Sequence, residues 1–210
     1  MKSEMLVDVY FLMDATGSMQ NAIDGVKTEI KGYVSSYCKC NPRVNLAYGL
    51  GIYRDTGDSK PFDFIQTINT DVSSLVHNLA RVTASGGGDT LEGQVIPLSV
   101  LNYGAARWRP GALRIVAWYG DHGAHETRVY EGRTYNKETA VNNLLETNTI
   151  VIALSVGNNC LNERGIAQFI TSSTSGRYVE NVHYDKLCST LFEEISERFN
   201  LVSVPAELLV

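Results

Sequence analysis

Asp14, Thr16 and Ser18 alternate in the stretch Asp14-Ala15-Thr16-Gly17-Ser18-Met19, which sets one carboxylate and two hydroxyls at every second position. In an extended turn, side chains two apart can point to one side, and such a set of hard oxygens suits a small hard cation. Two further stretches carry donors of the same kind. Ser85-Gly86-Gly87-Gly88-Asp89-Thr90 is the most glycine-dense part of the chain, and consecutive glycines let a backbone take positive φ and approach something closely. Gly120-Asp121-His122-Gly123-Ala124-His125 places a second carboxylate directly after an apolar run.

The flanking sequence says what must position these groups. Val7 to Met13 reads as a buried strand, and Met19, Ile23, Val26, Ile30 and Val34 repeat with a helical period, so the first cluster lies on a strand-to-helix turn. Open α/β sheets place their sites at such turns. Residues 43–53 predict a second strand, and 61–68 a third paired antiparallel to it as an edge strand, because the turn between them is too short for a parallel crossover. A short helix capped by Asp71, a helix from about Leu91 to Tyr103 containing Pro97, and a buried strand over 113–119 follow. A helix at 137–145, a central strand at 149–156, a helix at 163–170, a short strand at Tyr178-Val179 and a final amphipathic helix complete the chain. The pattern predicts an α/β, Rossmann-like three-layer sandwich with a central, mostly parallel sheet, one antiparallel edge strand, and helices on both faces.

Each feature has a plainer reading. Thr16 or Ser18 can serve as the N-cap of the first helix. Asp55 and Asp58 can hold a second ion or simply make a turn rich in Asp and Gly. His122 and His125 beside Asp121 make a zinc site conceivable, although the spacing supplies no helix to align the rings. Cys38 and Cys40 read as ordinary thiols, and four cysteines in 210 residues are too few for a disulfide scaffold. A phosphohydrolase of the haloacid dehalogenase type needs a second Asp where Thr16 stands. Asp55-Thr56-Gly57 has no duplicate to form an aspartic dyad, no Lys follows the glycine loop as in a P-loop, and no Gly-x-Ser-x-Gly nucleophile elbow is present.

The three motifs in this order resemble the von Willebrand factor A domain family, whose metal-ion-dependent adhesion site is assembled from three loops. The family's D-x-S-x-S is matched by Asp14, Thr16 and Ser18, with Thr for the first Ser, and its late Asp by Asp121. The resemblance implies a middle-loop ligand, for which Thr90 is the best match and Asp89 the competitor. The glycine-loop and Asp121 motifs are nearest to the integrin β-subunit and α-kinase-associated branches. A single domain over residues 1–210, with its core at about 6–199, is expected. The implied function is non-enzymatic. A bound Mg2+, with Mn2+ or Ca2+ as alternatives, would grip an Asp or Glu side chain presented by a partner protein, as in adhesion modules. The alternatives are a metal-assisted hydrolase using water activated near Asp121 and His122, and a regulatory or assembly subunit of a larger complex.

Composition narrows the field. A net charge of -5 with scattered Lys and Arg disfavours a nucleic-acid surface. No run reaches the roughly 18 to 20 apolar residues of a membrane span. Met1 to Met5 lead straight into the first strand without a secretory leader, which favours a cytoplasmic location. The sequence does not fix an oligomeric state.

Overall fold

The computed structural model describes residues 4–55, 57–88, 91–157 and 160–208. Thr56 and the middle-loop candidates Asp89 and Thr90 lie outside the described residues.

β1 (Met5–Asp14) is the centre of the molecule. Its odd-numbered side chains Val7, Val9, Phe11 and Met13 enter one apolar core and Tyr10 and Leu12 the other, as a strand covered on both faces requires. β2 (Val44–Tyr53) pairs with it in parallel on one side, and β4 (Leu113–Gly120) in parallel on the other. Beyond β4 come β7 (Thr149–Val156) and β8 (Arg177–Val182), both parallel, and beyond β2 comes β3 (Phe62–Asn69), antiparallel. The six-stranded order is therefore β3-β2-β1-β4-β7-β8, with the antiparallel strand at the edge as the sequence predicts.

α1 (Gln20–Cys40), α2 (Val72–Ala80) and α6 (Leu187–Phe199) cover one face. α3 (Val95–Val100), α4 (Lys137–Glu146) and α5 (Ile166–Ser173) cover the other. Asp71 caps α2 as expected, its carboxylate accepting from the Ser73 N–H at 2.9 Å. The result is a three-layer α/β sandwich. No helix among the described residues is long and apolar enough to cross a membrane.

The structure departs from expectation in four places. α3 begins at Val95 rather than near Leu91, because the backbone of Glu92 instead bridges the segment after β4. The Glu92 N–H donates to the Gly123 carbonyl at 2.9 Å, and the His125 N–H to the Glu92 carbonyl at 3.2 Å. Pro97 then falls in the first turn of α3, where a missing N–H costs no helical bond. The expected helix at 163–170 splits, since Arg164 and Gly165 take φ of 61° and 70°, and α5 starts only at Ile166. The last strand is longer than expected, six residues instead of two. Finally, β5 (Thr127–Tyr130) and β6 (Arg133–Asn136) form an unexpected antiparallel hairpin, closed by Glu131 and Gly132, both at positive φ.

Candidate metal site at the sheet switch point

Chain direction reverses around β1: the chain runs outward to β2, and β4 then enters on β1's other flank. The crevice at the carboxyl ends of β1 and β4 is the switch point, and Asp14 ends one strand while Asp121 follows the other. The floor beneath them is a set of buried aromatics. Tyr53 donates its hydroxyl proton to the Tyr119 carbonyl at 3.0 Å and accepts from the Trp118 indole N–H at 2.9 Å. Gly120 admits this approach, since a Cβ there would stand 2.4 Å from the Tyr53 hydroxyl.

The first loop is held by backbone on both sides. Ala15 N–H donates to the Tyr53 carbonyl, Ser85 N–H to the Ala15 carbonyl, and Gly17 N–H to the Gly86 carbonyl. This stitches Asp14-Thr16-Ser18 between the end of β2 and the glycine loop. Thr16 does not use its hydroxyl as a helix cap, contrary to the plain capping alternative. Its N–H and its hydroxyl both donate to Asp14 Oδ1, at 2.8 and 2.7 Å. With its proton directed at Asp14, the Thr16 oxygen keeps its lone pairs for another electrophile. Ser18, within the 3-10 turn 17–19, is exposed at the rim and does not cap α1 either.

Asp14 is fully buried and Asp121 nearly so. Asp14 Oδ2 accepts no hydrogen bond among the described residues, an exceptional condition for a buried carboxylate oxygen. Burial pushes the Asp14 carboxyl up to about 7; the Thr16 bonds pull it down, and the charge of Asp121 pushes it further up. Glu92, 3% exposed, sits in the same cluster and was missed by sequence reasoning. Burial, then the charges of Asp14, Asp55, Asp121 and Asp58, push its carboxyl up to about 8, and its Oε2 also lacks a donor. Its proximity to the glycine loop was a usable signal. A helix assumed to start at Leu91 made Glu92 look like an ordinary solvent-facing first-turn acid.

His122 Nδ1 lies 2.9 Å from Asp121 Oδ1, whereas His125 Nε2 lies 3.6 Å from Asp55 Oδ1. The two histidines thus attend different carboxylates and do not converge as a zinc pair. Asp55 is also paired with Arg128 at 2.9 Å, and Asp58 accepts from the Gly87 N–H at 3.1 Å. Among the described residues, no group of three or more His, Cys, Asp or Glu is arranged to hold a metal ion by those side chains alone. A site here needs hydroxyl ligands, and Thr16 and Ser18 carry them. The donor set fits a hard cation: an orphaned buried carboxylate oxygen, an adjacent hydroxyl with free lone pairs, and neighbouring carboxylates short of positive charge.

No protein-family model matches the chain, and no curated protein matches it. Solved structures do. Proximal thread matrix protein 1 from the mussel byssus superposes with a TM-score of 0.68 at 16% identity, over 92% of this chain and 46% of that one. A further structure of it, described with a zinc-occupied MIDAS motif, gives 0.67 at 16% identity, over 93% of this chain and 46% of that one. The pilus adhesin SpaC from Lactobacillus rhamnosus GG gives 0.63 at 14%, over 94% and 30% of the two chains, and BatB from Bacteroides thetaiotaomicron 0.66 at 19%, over 92% and 99%. This chain spans less than half the length of the mussel and pilus proteins it matches. At these identities the likeness is one of fold alone: the chain has the α/β sandwich of these von Willebrand factor A-like neighbours.

Proposed function

We propose that the chain is a single von Willebrand factor A-type module, without enzymatic activity, that binds an acidic side chain of a partner protein through one divalent cation, most naturally Mg2+. Asp14, Thr16, Ser18 and Asp121 would hold the ion, together with Thr90 or Asp89 from the glycine loop. Mn2+ and Ca2+ are the alternative occupants. The observation that carries this reading is Asp14 Oδ2, a buried carboxylate oxygen without a donor, beside the Thr16 hydroxyl. A mussel protein of like fold has a zinc-occupied MIDAS motif, which supports a divalent ion in a chain of this fold.

The bound ion supplies Lewis acidity toward a ligand oxygen from outside. The chain's own residues set its character. Thr16 and Ser18 contribute neutral oxygens, so less positive charge is cancelled than in an all-carboxylate cage. Asp14 is fixed by its two bonds from Thr16, and Ser18 at the rim leaves the outer side open. On a protein of net charge -5, an acidic partner would otherwise meet repulsion.

The direct test loads the chain with Mn2+ and follows water-proton relaxation while N-acetylglutamate amide is added. Relaxation enhancement falls as the carboxylate replaces a bound water, and N-acetylglutamine amide leaves it unchanged. Equal responses to the two compounds, or none to either, would refute capture of an acidic side chain.

A further inference from the structure

Three consecutive glycines run past three acidic side chains, two from the turn after β2 and one from the segment before α3. A Cβ at Gly86 would stand 2.3 Å from Asp58 Oδ1, one at Gly87 3.6 Å from Glu92 Oε1, and one at Gly88 3.7 Å from Asp55 Oδ2. The charges of Asp14 and Asp121 also bear on Glu92. Five carboxylates therefore share one rim, and a divalent ion at Asp14 neutralises only two of their charges.

Among the described residues, Arg54 and Arg128 bring fixed cations to the rim, and His125 Nε2 lies 3.6 Å from Asp55 Oδ1. The Arg54 guanidinium is directed at carbonyls, donating to Ser85 at 2.9 Å and Thr83 at 3.1 Å. Arg128 reaches the acidic groups: its Nη2 lies 2.9 Å from Asp55 Oδ1, with the Asp55 side chain 9% exposed. Arg128 belongs to β5, and the hairpin is seated on the sheet edge by the ring contact of Tyr130 with Phe62, 5.2 Å between centroids. Independently, Glu92 Oε2 is buried and accepts no hydrogen bond among the described residues.

We infer that this rim has two cation positions, that the Arg128 guanidinium is the permanent occupant of the second, and that its removal opens a divalent-ion site on Asp55 and Glu92. The inference rests on the proposed ion at Asp14. A guanidinium suits the task because it keeps its charge at any physiological pH, cannot be chelated away, and reaches a carboxylate through directed N–H donors. The hairpin is thereby anchored whether or not the first ion is present, and the wild-type chain takes one ion instead of two.

The experiment counts Mn2+ per chain by native mass spectrometry and by calorimetric titration, with melting curves as the folding check. Wild type and Arg128→Lys bind one ion, Arg128→Gln binds two, and Arg128→Gln combined with Asp55→Asn returns to one. If the Gln variant does not fold, Arg128→Met keeps the aliphatic packing and takes its place. Two ions in the wild type, or one in folded Arg128→Gln or Arg128→Met, would overturn the inference while leaving the ion at Asp14 standing. No ion in any variant would instead remove the reading on which it rests.

Discussion

Asp14→Asn makes the metal-free protein more stable and abolishes its response to Mg2+. In the wild type, Asp14 Oδ2 is buried without a donor, next to the charge of Asp121. An Asn keeps Oδ1 as acceptor for the Thr16 N–H and hydroxyl and removes the buried negative charge beside Asp121. Relief of an unsatisfied buried charge is on the order of 1–3 kcal/mol. For a chain of this size each kcal/mol corresponds to about 2–4 °C in melting temperature. Saturating Mg2+ should reverse the ranking, since an ion at about 1,000 times its Kd stabilises the wild type by roughly 4.1 kcal/mol and the variant by nothing. Melting curves with Mg2+ and with EDTA check both halves. A variant that melts lower than wild type in EDTA and rises as much with Mg2+ contradicts the assignment of Asp14.

Arg109→Ala lowers stability by about 3 kcal/mol, the range expected when a buried charge loses its partner, and leaves metal binding intact. Asp8 on β1 is fully buried, and among the described residues its hydrogen bonds come from Arg109. The Arg109 N–H donates to Asp8 Oδ2 at 2.7 Å and its Nε to Oδ1 at 2.6 Å. The same guanidinium donates to the Asn45 side chain and to the Asn45 and Val7 carbonyls. It thus ties the loop before β4 to the starts of β1 and β2. Asp8 lies six residues before Asp14 on an extended strand, about 20 Å away, so the two ends of β1 are energetically separate. Urea denaturation measures the loss. Asp8→Asn with Arg109→Ala should cost clearly less than the sum of the single changes, because no charge is left uncompensated. Additive losses would mean that the guanidinium acts through packing alone.

Features that depend on a single segment were legible in the sequence. The strand-to-helix turn at Asp14 announced itself through a change from a buried apolar run to helical periodicity. The antiparallel edge strand followed from the length of the turn before it. Features that depend on tertiary pairing were not. Thr127-Arg128-Val129-Tyr130 and Arg133-Thr134-Tyr135-Asn136 are a hairpin around Glu131-Gly132, yet Glu is an uncommon first residue for a two-residue turn with both φ positive. Glu92 escaped because its neighbours come from the ends of β1 and β4 and from the turn after β2. The N-cap alternative for Thr16 failed for a local reason: donation to the carboxylate two residues earlier fixes the direction of its hydroxyl, which accepts no N–H from the turn that follows.

Calorimetric titration of Mg2+ and Mn2+ into the wild type and Asp14→Asn, both confirmed as folded by melting, tests the metal site most directly. The expected result is one ion bound by the wild type and none by the variant. Equal binding by the two proteins would contradict a site built on Asp14.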